Sequence, residues 1–501
     1  MAAAVETPRE RRRLALAVGL LSAAYLATRV ALTWRFPLYV DETTFASFAR
    51  DVHGDIGQFF AAEIDKKGLL PSWLGAGLIG AGIDPVTAMR LLAAAGAALA
   101  AVCGGLFMRR LYGLREGLLT AALIALGPYF LVNASVGIYD AMVTGLVAAA
   151  VLVSIRLVQR PRPATAVLLG LCIGAGGLTK PTAAVAVVVL PFTLVLFDYA
   201  SPERRRRLLV WAGYAALAVV LGYAITSIAR LTPLYDQPMV PKENHRGLGQ
   251  VFDDIGPRLR ANGPLQWNAI TGYLTTPGLL LAAIGVIAGL RRQRAATAIL
   301  AVWTLSVLAS ALLLALWPYP RYFAAAIVPL SAFVVLGGVA VWDALVDGSW
   351  MRRSWRIAVA AVVVLVSLTP ALRYEGQVLA DPVNTAYPGA DLEGYVWAIS
   401  AQTWVAPFAR EIERRGGPYP VHVDVVRGYT WGLDLRLNGA AVGSERHFDV
   451  FSGGTPARRA SARYLVSDGA HGDAPPRPGY HLVMRKARIL EGAVARLYER
   501  S

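Results

Sequence analysis

The sequence predicts a mainly α-helical protein that crosses a membrane many times and ends in a small α/β domain. Of the 501 residues, 56% are hydrophobic and only 16% are charged, whereas a soluble domain carries about 25% charged residues. Apolar stretches long enough to span a bilayer recur throughout residues 14–372, and basic residues cluster in the short loops between them. After about Arg373 the apolar runs shorten, and glycine, proline and charged residues become frequent.

About eleven apolar segments have the length of roughly 20 residues that a membrane-spanning helix needs. They occupy residues 14–34, 86–108, 116–133, 138–158, 164–178, 181–198, 208–229, 270–290, 295–317, 322–342 and 355–372. The basic N-terminus resembles a signal peptide, but the apolar run to Trp34 is long enough to span, so we interpret it as an uncleaved first span. The glycine-rich stretch 69–83 is predicted to be an interfacial or half-buried helix; the alternative is that it spans the membrane, which would break the orientation scheme that the loops predict.

The loops predict the orientation of these spans. With a cytoplasmic N-terminus, every inside loop is basic, as the positive-inside rule requires; these loops are 109–115, 156–162, 204–207, 291–294 and 352–356. The net charge of +16, from 49 Lys and Arg against 33 Asp and Glu, is then explained by topology and anionic lipid headgroups, and nucleic acid is not an expected partner. The sequence therefore predicts a multi-pass protein of the cell membrane, with residues 1–372 as its transmembrane domain.

Residues 373–501 are predicted to form a separate α/β domain of about 130 residues. An odd number of spans from a cytoplasmic start places this domain outside the cell. Residues 395–415 have the spacing of an amphipathic helix, and four segments have the pattern of strands, namely 421–426, 463–466, 481–488 and 494–498. Because its acids, such as Asp424 and Asp434, have no predicted place at the membrane edge, we expect the domain to help select the molecule that is acted on and not to contribute to the chemistry. Structural support of the outer loops is the alternative.

Polar interruptions of the apolar pattern all fall on the predicted outer face. Asp41 and Glu42 precede a predicted interfacial helix. Carboxylates beside a membrane span are unfavourable unless they are solvated, paired with a cation or part of a functional site. The other interruptions are Asp65-Lys66-Lys67, Tyr139-Asp140, Thr179-Lys180-Pro181, Tyr319-Pro320-Arg321-Tyr322 and a loop, 230–268, with Asp236, Lys242, Glu243, His245 and Arg246. Their common side predicts one outward-facing site, although a capping role for the acids and interfacial anchoring for the basic residues are alternatives.

The order of these motifs resembles that of the C-fold membrane glycosyltransferases, especially protein O-mannosyltransferases and the bacterial transferase that adds aminoarabinose to lipid A. The resemblance covers residues 10–342 and rests on the acidic pair, the lysine segment, the turn at Lys180 and the Pro-Arg-Tyr turn at Arg321. The family's Glu-Lys-Pro-Pro segment appears here as Asp65-Lys66-Lys67-Gly68, without the prolines, so the sequence does not decide which lysine meets phosphate. The resemblance implies a polyprenyl-phosphate sugar as donor and Asp41 as the catalytic base.

The chemistry of such a reaction agrees with these roles. Cations stabilise a departing phosphate, and Arg does so with a bidentate fork; the candidates for this role are Lys66, Lys67, Lys180 and Arg321, with Tyr322 beside them. An acceptor hydroxyl needs a base within hydrogen-bond reach, and the candidates are Asp41, Glu42 and Asp140. We expect an inverting displacement onto a protein, lipid or polysaccharide acceptor. The sequence indicates no cofactor, and a divalent metal stays open, because acids share this face but no ligand spacing demands one.

Two other functions are compatible with the topology. A transporter or flippase of a lipid-linked glycan would place charges near the bilayer midplane on broken helices, often in repeated halves, and the sequence shows neither feature. A ligase or polymerase of lipid-linked glycans would have its key residues in later outer loops and would lack the acidic pair of the first loop.

Overall fold

Helices form most of the protein, as the sequence predicts, and strands occur in its C-terminal part. The computed structural model describes residues 8–236, 255–315, 319–347, 352–388, 391, 402–417, 419–427, 430–441, 445–452, 455–469, 477–487 and 494–501. The α-helices of the described residues before 381 are α1 (Pro8–Thr33), α2 (Val40–Gly54), α3 (Leu69–Gly80), α4 (Pro85–Leu111), α5 (Leu114–Leu126), α6 (Pro128–Asn133), α7 (Tyr139–Gln159), α8 (Pro163–Thr179), α9 (Val185–Phe192), α10 (Arg204–Thr226), α11 (Ile255–Arg292), α12 (Arg294–Leu313), α13 (Ala324–Asp347) and α14 (Arg353–Ala380).

The predicted apolar segments all coincide with helices. Among the described residues, 8 helical segments are long and apolar enough to cross a membrane, and shorter apolar helices cover Leu69–Gly80, Pro163–Thr179 and Pro181–Leu196. The predicted segment 116–133 corresponds to α5 and α6 together. The predicted fold class, a polytopic helical membrane protein with a small C-terminal domain, is therefore confirmed.

Two predicted spans are interrupted, each shortly before a proline. The segment 116–133 breaks at Gly127, whose backbone is extended (φ −65°, ψ 158°) directly before Pro128. The segment 270–290 is part of the much longer α11, which begins at Ile255 and has a non-helical residue at Thr275 (φ 62°, ψ 159°), shortly before Pro277. Proline lacks the backbone N–H of a helix interior and disfavours helical backbone in the residue before it.

The C-terminal part contains a mixed five-stranded sheet with helices α15 (Val405–Arg415), α16 (Thr430–Asn438) and α17 (Pro456–Ser461). The strand order is β2-β1-β3-β5-β4, for β1 (Val421–Arg427), β2 (Phe448–Phe451), β3 (Tyr464–Gly469), β4 (Tyr480–Ala487) and β5 (Val494–Arg500). Strand β1 pairs in parallel with β2 and β3, and β5 pairs antiparallel with β3 and β4.

The four predicted strands are present, and β2, which has only four residues, was not predicted. The described helix α15 covers the second half of the predicted amphipathic helix. Its Val405, Phe408, Ala409 and Ile412 follow helical spacing and pack into the core of the sheet domain. The predicted residues 395–401, Arg488 and the loop residues Lys242, Glu243, His245 and Arg246 lie outside the described part of the chain.

Candidate active site

The acids of the first loop begin helix α2, and helix geometry sends them in different directions. Tyr39 has extended backbone (φ −110°, ψ 141°), and Asp41 and Glu42 occupy the first turn of α2, where negative charge interacts favourably with the helix N-terminus. Successive residues of an α-helix, with 3.6 residues per turn, point about 100° apart around its axis. The two carboxylates therefore meet different neighbours.

Asp41 lies between two cations. Its Oδ2 is 2.9 Å from Nη2 of Arg321, and its Oδ1 is 3.7 Å from Nζ of Lys67. The Tyr39 hydroxyl, 3.4 Å from Asp41 Oδ2, accepts a 2.8 Å hydrogen bond from Nη1 of Arg321. Burial alone would raise the pKa of Asp41, but the charges of Arg321, Lys67 and Lys180 outweigh burial and lower that pKa to about 2. Asp41 is therefore a carboxylate at neutral pH.

A second ion pair lies beside the first. Nζ of Lys180 is 2.5 Å from Oδ1 of Asp140; Lys180 directly follows α8, and Asp140 is in the first turn of α7. The ring centroid of Tyr322 lies 4.8 Å from Nζ of Lys180 and 5.8 Å from the guanidinium carbon of Arg321. Two turns that are far apart in sequence thus place their cations around one aromatic ring.

The two candidate lysines point to different places. Nζ of Lys66 donates to the carbonyl oxygens of Leu234 (2.7 Å) and Tyr235 (2.6 Å). Lys67 is directed at Asp41 and lies over the ring of Phe45, 5.1 Å from its centroid. Lys66 has left-handed backbone (φ 50°, ψ 38°), and this reversal of the chain separates the two side chains. The geometry therefore favours Lys67 as the lysine of the cation cluster.

Gly68 lies directly against the backbone of the turn before Lys180. A Cβ atom at Gly68 would lie 2.0 Å from the carbonyl oxygen of Thr179, which is far inside van der Waals contact. Only glycine permits this approach of the first outer loop to the turn before Lys180. The close contact brings Lys67 and Lys180 to the same cluster.

Glu42 faces away from the cluster and is fully buried. Its two oxygens form an ion pair with Arg90, including a hydrogen bond of 3.0 Å from Nη2 to Oε2, and the backbone N–H of Gly137 donates to Oε1 at 3.3 Å. Arg90 also donates to the carbonyl oxygens of Thr33 and Pro37. A buried carboxylate that is satisfied in this way anchors the start of α2 to α4, so the geometry favours a structural role for Glu42.

Three polar residues near this site were not predicted from the sequence. Tyr39 and Arg90 could have been suspected from their positions next to the acidic pair and near the outer start of a span. Asp391 had no signal, because it lies outside the apolar segments and belongs to none of the motifs. Its carboxylate accepts a hydrogen bond from the Tyr273 hydroxyl, and burial raises its pKa to about 7. The charge of Arg321 counteracts that rise, which places Asp391 within electrostatic range of the cluster.

The described residues offer no ready metal site. Among them, no three His, Cys, Asp or Glu side chains are close enough to hold a metal ion. Asp41 and Asp140 instead each hold a cationic side chain. Asp65, the third acid of the predicted outer face, ends a short 3₁₀ helix, Ala61–Asp65.

Comparison with known proteins gives this arrangement a context. The family model for dolichyl-phosphate-mannose-protein mannosyltransferases matches residues 66–228, a range that contains Lys67, Asp140 and Lys180. No curated protein matches the sequence. The structure of ArnT from Cupriavidus metallidurans in the apo state is similar over 96% of this chain and 97% of that chain, with a TM-score of 0.58 and 17% identity. This chain has the C-fold of membrane glycosyltransferases.

Two further structures share the C-fold. ArnT from Cupriavidus metallidurans bound to undecaprenyl phosphate gives a TM-score of 0.56 at 16% identity, over 96% of this chain and 97% of that chain. The oligosaccharyltransferase AglB from Archaeoglobus fulgidus, in complex with an inhibitory peptide and a dolichol-phosphate, gives 0.51 at 14% identity, over 91% and 70% of the two chains. The resemblance that the motifs predicted is thereby confirmed at the level of the C-fold.

Proposed function

We propose that this C-fold protein is a membrane glycosyltransferase that moves a sugar from a polyprenyl-phosphate donor to an acceptor hydroxyl of a protein, lipid or polysaccharide. The observation that carries the proposal is the cluster in which Lys67, Lys180 and Arg321 surround Asp41. A polyprenyl-phosphate sugar presents an anionic group at the membrane surface, next to the bond that must break. The cluster supplies cations for that group and a carboxylate for the attacking hydroxyl.

The charges of the cluster match those of the donor. Three cations, Lys67, Lys180 and Arg321, face two carboxylates, Asp41 and Asp140, which leaves one positive charge in excess. A polyprenyl-phosphate sugar is a phosphodiester with one negative charge, so its binding neutralises the site. The phosphate would take over cations that Asp41 and Asp140 hold in the structure. Asp41 would then lose cationic partners and become a stronger base, as the reaction requires.

The transfer is then a single displacement. The acceptor oxygen attacks the anomeric carbon of the sugar, the bond from that carbon to the phosphate oxygen breaks, and the hydroxyl proton passes to Asp41. The lipid phosphate leaves with one additional negative charge, which the neutralised Asp41 offsets, so Lys67, Lys180 and Arg321 still face a balanced site. One displacement inverts the anomeric configuration and requires no covalent intermediate, unlike a retaining mechanism with a nucleophilic carboxylate.

Binding of undecaprenyl phosphate to the purified protein tests this proposal. Lys67→Gln is expected to raise the Kd by about 10-fold or more, because it removes a charged hydrogen bond of about 1.5–3 kcal/mol. Lys66→Gln is the matched control, since its ammonium binds the 234–235 carbonyls instead, and its Kd should stay within about two-fold of wild type. Equal effects of both substitutions would contradict the assignment of Lys67, and a wild-type protein that does not bind the lipid phosphate would end the proposed function.

The proposed site requires the predicted orientation, with the cluster and the C-terminal domain outside the cell. In a background with Cys103→Ala and Cys172→Ala, a cysteine at the exposed Ser501 should react with a membrane-impermeant maleimide in intact cells. A cysteine at the exposed Glu203, directly before the basic residues Arg204–Arg207 that begin α10, should react only after lysis. The reverse pattern would place the cluster on the cytoplasmic side.

A further inference from the structure

The C-terminal domain holds helix α2 on both sides of Asp41. Ahead of the helix, the carbonyl oxygen of Leu38 accepts a 2.8 Å hydrogen bond from the backbone N–H of Gln402. The side chain of Leu38 packs against the apolar core of the C-terminal domain. The chain that leads into Asp41 is thus attached to the domain by the backbone and by the side chain of Leu38.

A buried ion pair makes the second attachment. Nη2 of Arg50, in the last part of α2, donates to Oδ2 of Asp434 in α16 at 2.7 Å. Arg50 is 2% exposed and Asp434 is 5% exposed. Asn438 donates to the other oxygen of Asp434 at 2.7 Å. A buried carboxylate with these partners holds the guanidinium in one place, and a charge-assisted hydrogen bond out of water is strong and directional.

Each part contributes an apolar side chain to the core of the other at this contact. Leu435, the neighbour of Asp434, is 3% exposed and belongs to the apolar core of the membrane part, whereas Leu38 of the membrane part packs on the core of the domain. The domain is therefore joined to the start and to the end of α2 by interdigitated side chains.

We propose that Asp434 is a positioning residue for the reaction: through Arg50 it fixes the helix that carries Asp41 against the cation cluster. This inference rests on the proposed function and extends it, because the C-terminal domain then sets the geometry of the base. From sequence, Asp434 had no predicted contact with α2, and the structure pairs it with Arg50 of that helix. Displacement of a reacting group by about 1 Å can lower a rate by about 100-fold, so a loosened α2 affects the chemical step.

The test separates the chemical step from donor binding. The purified protein, in excess, is mixed with trace amounts of metabolically labelled polyprenyl-phosphate sugars and of acceptor. Both substrates are supplied in a lipid and membrane extract of the cells that make the protein. The loss of label from the polyprenyl lipids gives a single-turnover rate. Asp434→Asn is expected to lower this rate by about 10-fold or more, while the Kd for undecaprenyl phosphate stays within about two-fold of wild type. A purely structural role would instead change both quantities or neither.

Asp449→Asn is the matched control. Asp449 pairs with Arg458 at 2.6 Å and with His422, both in the same domain, and the wild-type rate should be retained. If Asp434→Asn does not fold, as judged by gel filtration and thermal unfolding, Asp434→Glu keeps the buried charge and shifts Arg50 by one methylene, and it should show the same split between rate and Kd. A wild-type rate in either folded Asp434 variant, or a parallel loss of lipid-phosphate binding, would overturn the inference. Failure of the wild-type protein to bind undecaprenyl phosphate would instead end the proposed function.

Discussion

Replacement of Asp41 by asparagine is expected to lower the single-turnover rate of sugar transfer by about 100-fold or more, since a general base contributes about 10²–10⁴-fold. Asparagine keeps the size of the side chain but cannot accept the proton of the acceptor hydroxyl. The same substitution should leave undecaprenyl phosphate bound at least as tightly as in the wild type. Asp41 holds Arg321 at 2.9 Å and Lys67 at 3.7 Å, and its carboxylate competes with the phosphate for both cations.

The opposite directions of these two effects make the prediction specific. A variant that merely unfolds would lose transfer and binding together. Asp343→Asn, which removes an exposed ion pair with Arg115 at 2.7 Å, serves as the control and should change neither quantity. A wild-type rate for Asp41→Asn would shift the role of base to another carboxylate, of which Asp391 is buried near the cluster.

The pH dependence of wild-type transfer is a second test of Asp41 as the catalytic base. In the empty site the neighbouring cations lower the pKa of Asp41 to about 2. The single-turnover rate at sub-saturating enzyme reports the free protein, so protonation of Asp41 should not lower this rate above about pH 3. The bound phosphate places a negative charge among those cations and raises the pKa. On acidification, the single-turnover rate at saturating enzyme should therefore begin to fall at a higher pH than the rate at sub-saturating enzyme.

Removal of the arginine of the Pro-Arg-Tyr turn is expected to have the largest effect on donor binding. Arg321 donates to Tyr39 at 2.8 Å and lies 2.9 Å from Asp41, so its fork already spans two oxygens where the phosphate would bind. Arg321→Gln should raise the Kd for undecaprenyl phosphate by about 10–100-fold, which corresponds to about 1.5–3 kcal/mol for a charged hydrogen bond.

Arg321→Lys distinguishes charge from geometry. Lysine keeps the positive charge but lacks the planar fork, so its Kd should lie between those of the wild type and Arg321→Gln. Arg115→Gln, at an exposed surface pair, is the control with an unchanged Kd. Wild-type affinity in Arg321→Gln would show that this cation does not bind the donor phosphate.

The sequence by itself determined the fold class and the membrane part of this protein. Insertion of a helix into a bilayer depends on the apolar character of about 20 consecutive residues, which is a local property that can be read along the chain. For the same reason the chain positions of Asp41, Lys180 and Arg321 at the ends of apolar segments were evident, and their grouping on one face followed from the alternation of basic loops. The interruptions before Pro128 and Pro277 were not predicted, because the apolar pattern continues across both.

Only the tertiary structure decided which of these residues meet. Lys66 and Lys67 are equivalent in sequence, and the left-handed backbone at Lys66 together with the close approach of Gly68 to Thr179 brings Lys67 to Asp41. Asp41 and Glu42 are also neighbours, yet they point in different directions from the helix axis. Asp41 therefore meets Arg321, and Glu42 meets Arg90. These outcomes depend on contacts between distant segments, which no local pattern records.

The contact between the C-terminal domain and α2 could not be predicted from local sequence either. Asp434 stands 384 positions from Arg50 in the chain, and nothing in the residues around either one indicates a partner. A buried ion pair forms only when packing has brought both groups together and removed water from them. The sequence therefore determined where this protein meets the membrane, and the packing of its two parts decided which charges surround Asp41 and what holds its helix in place.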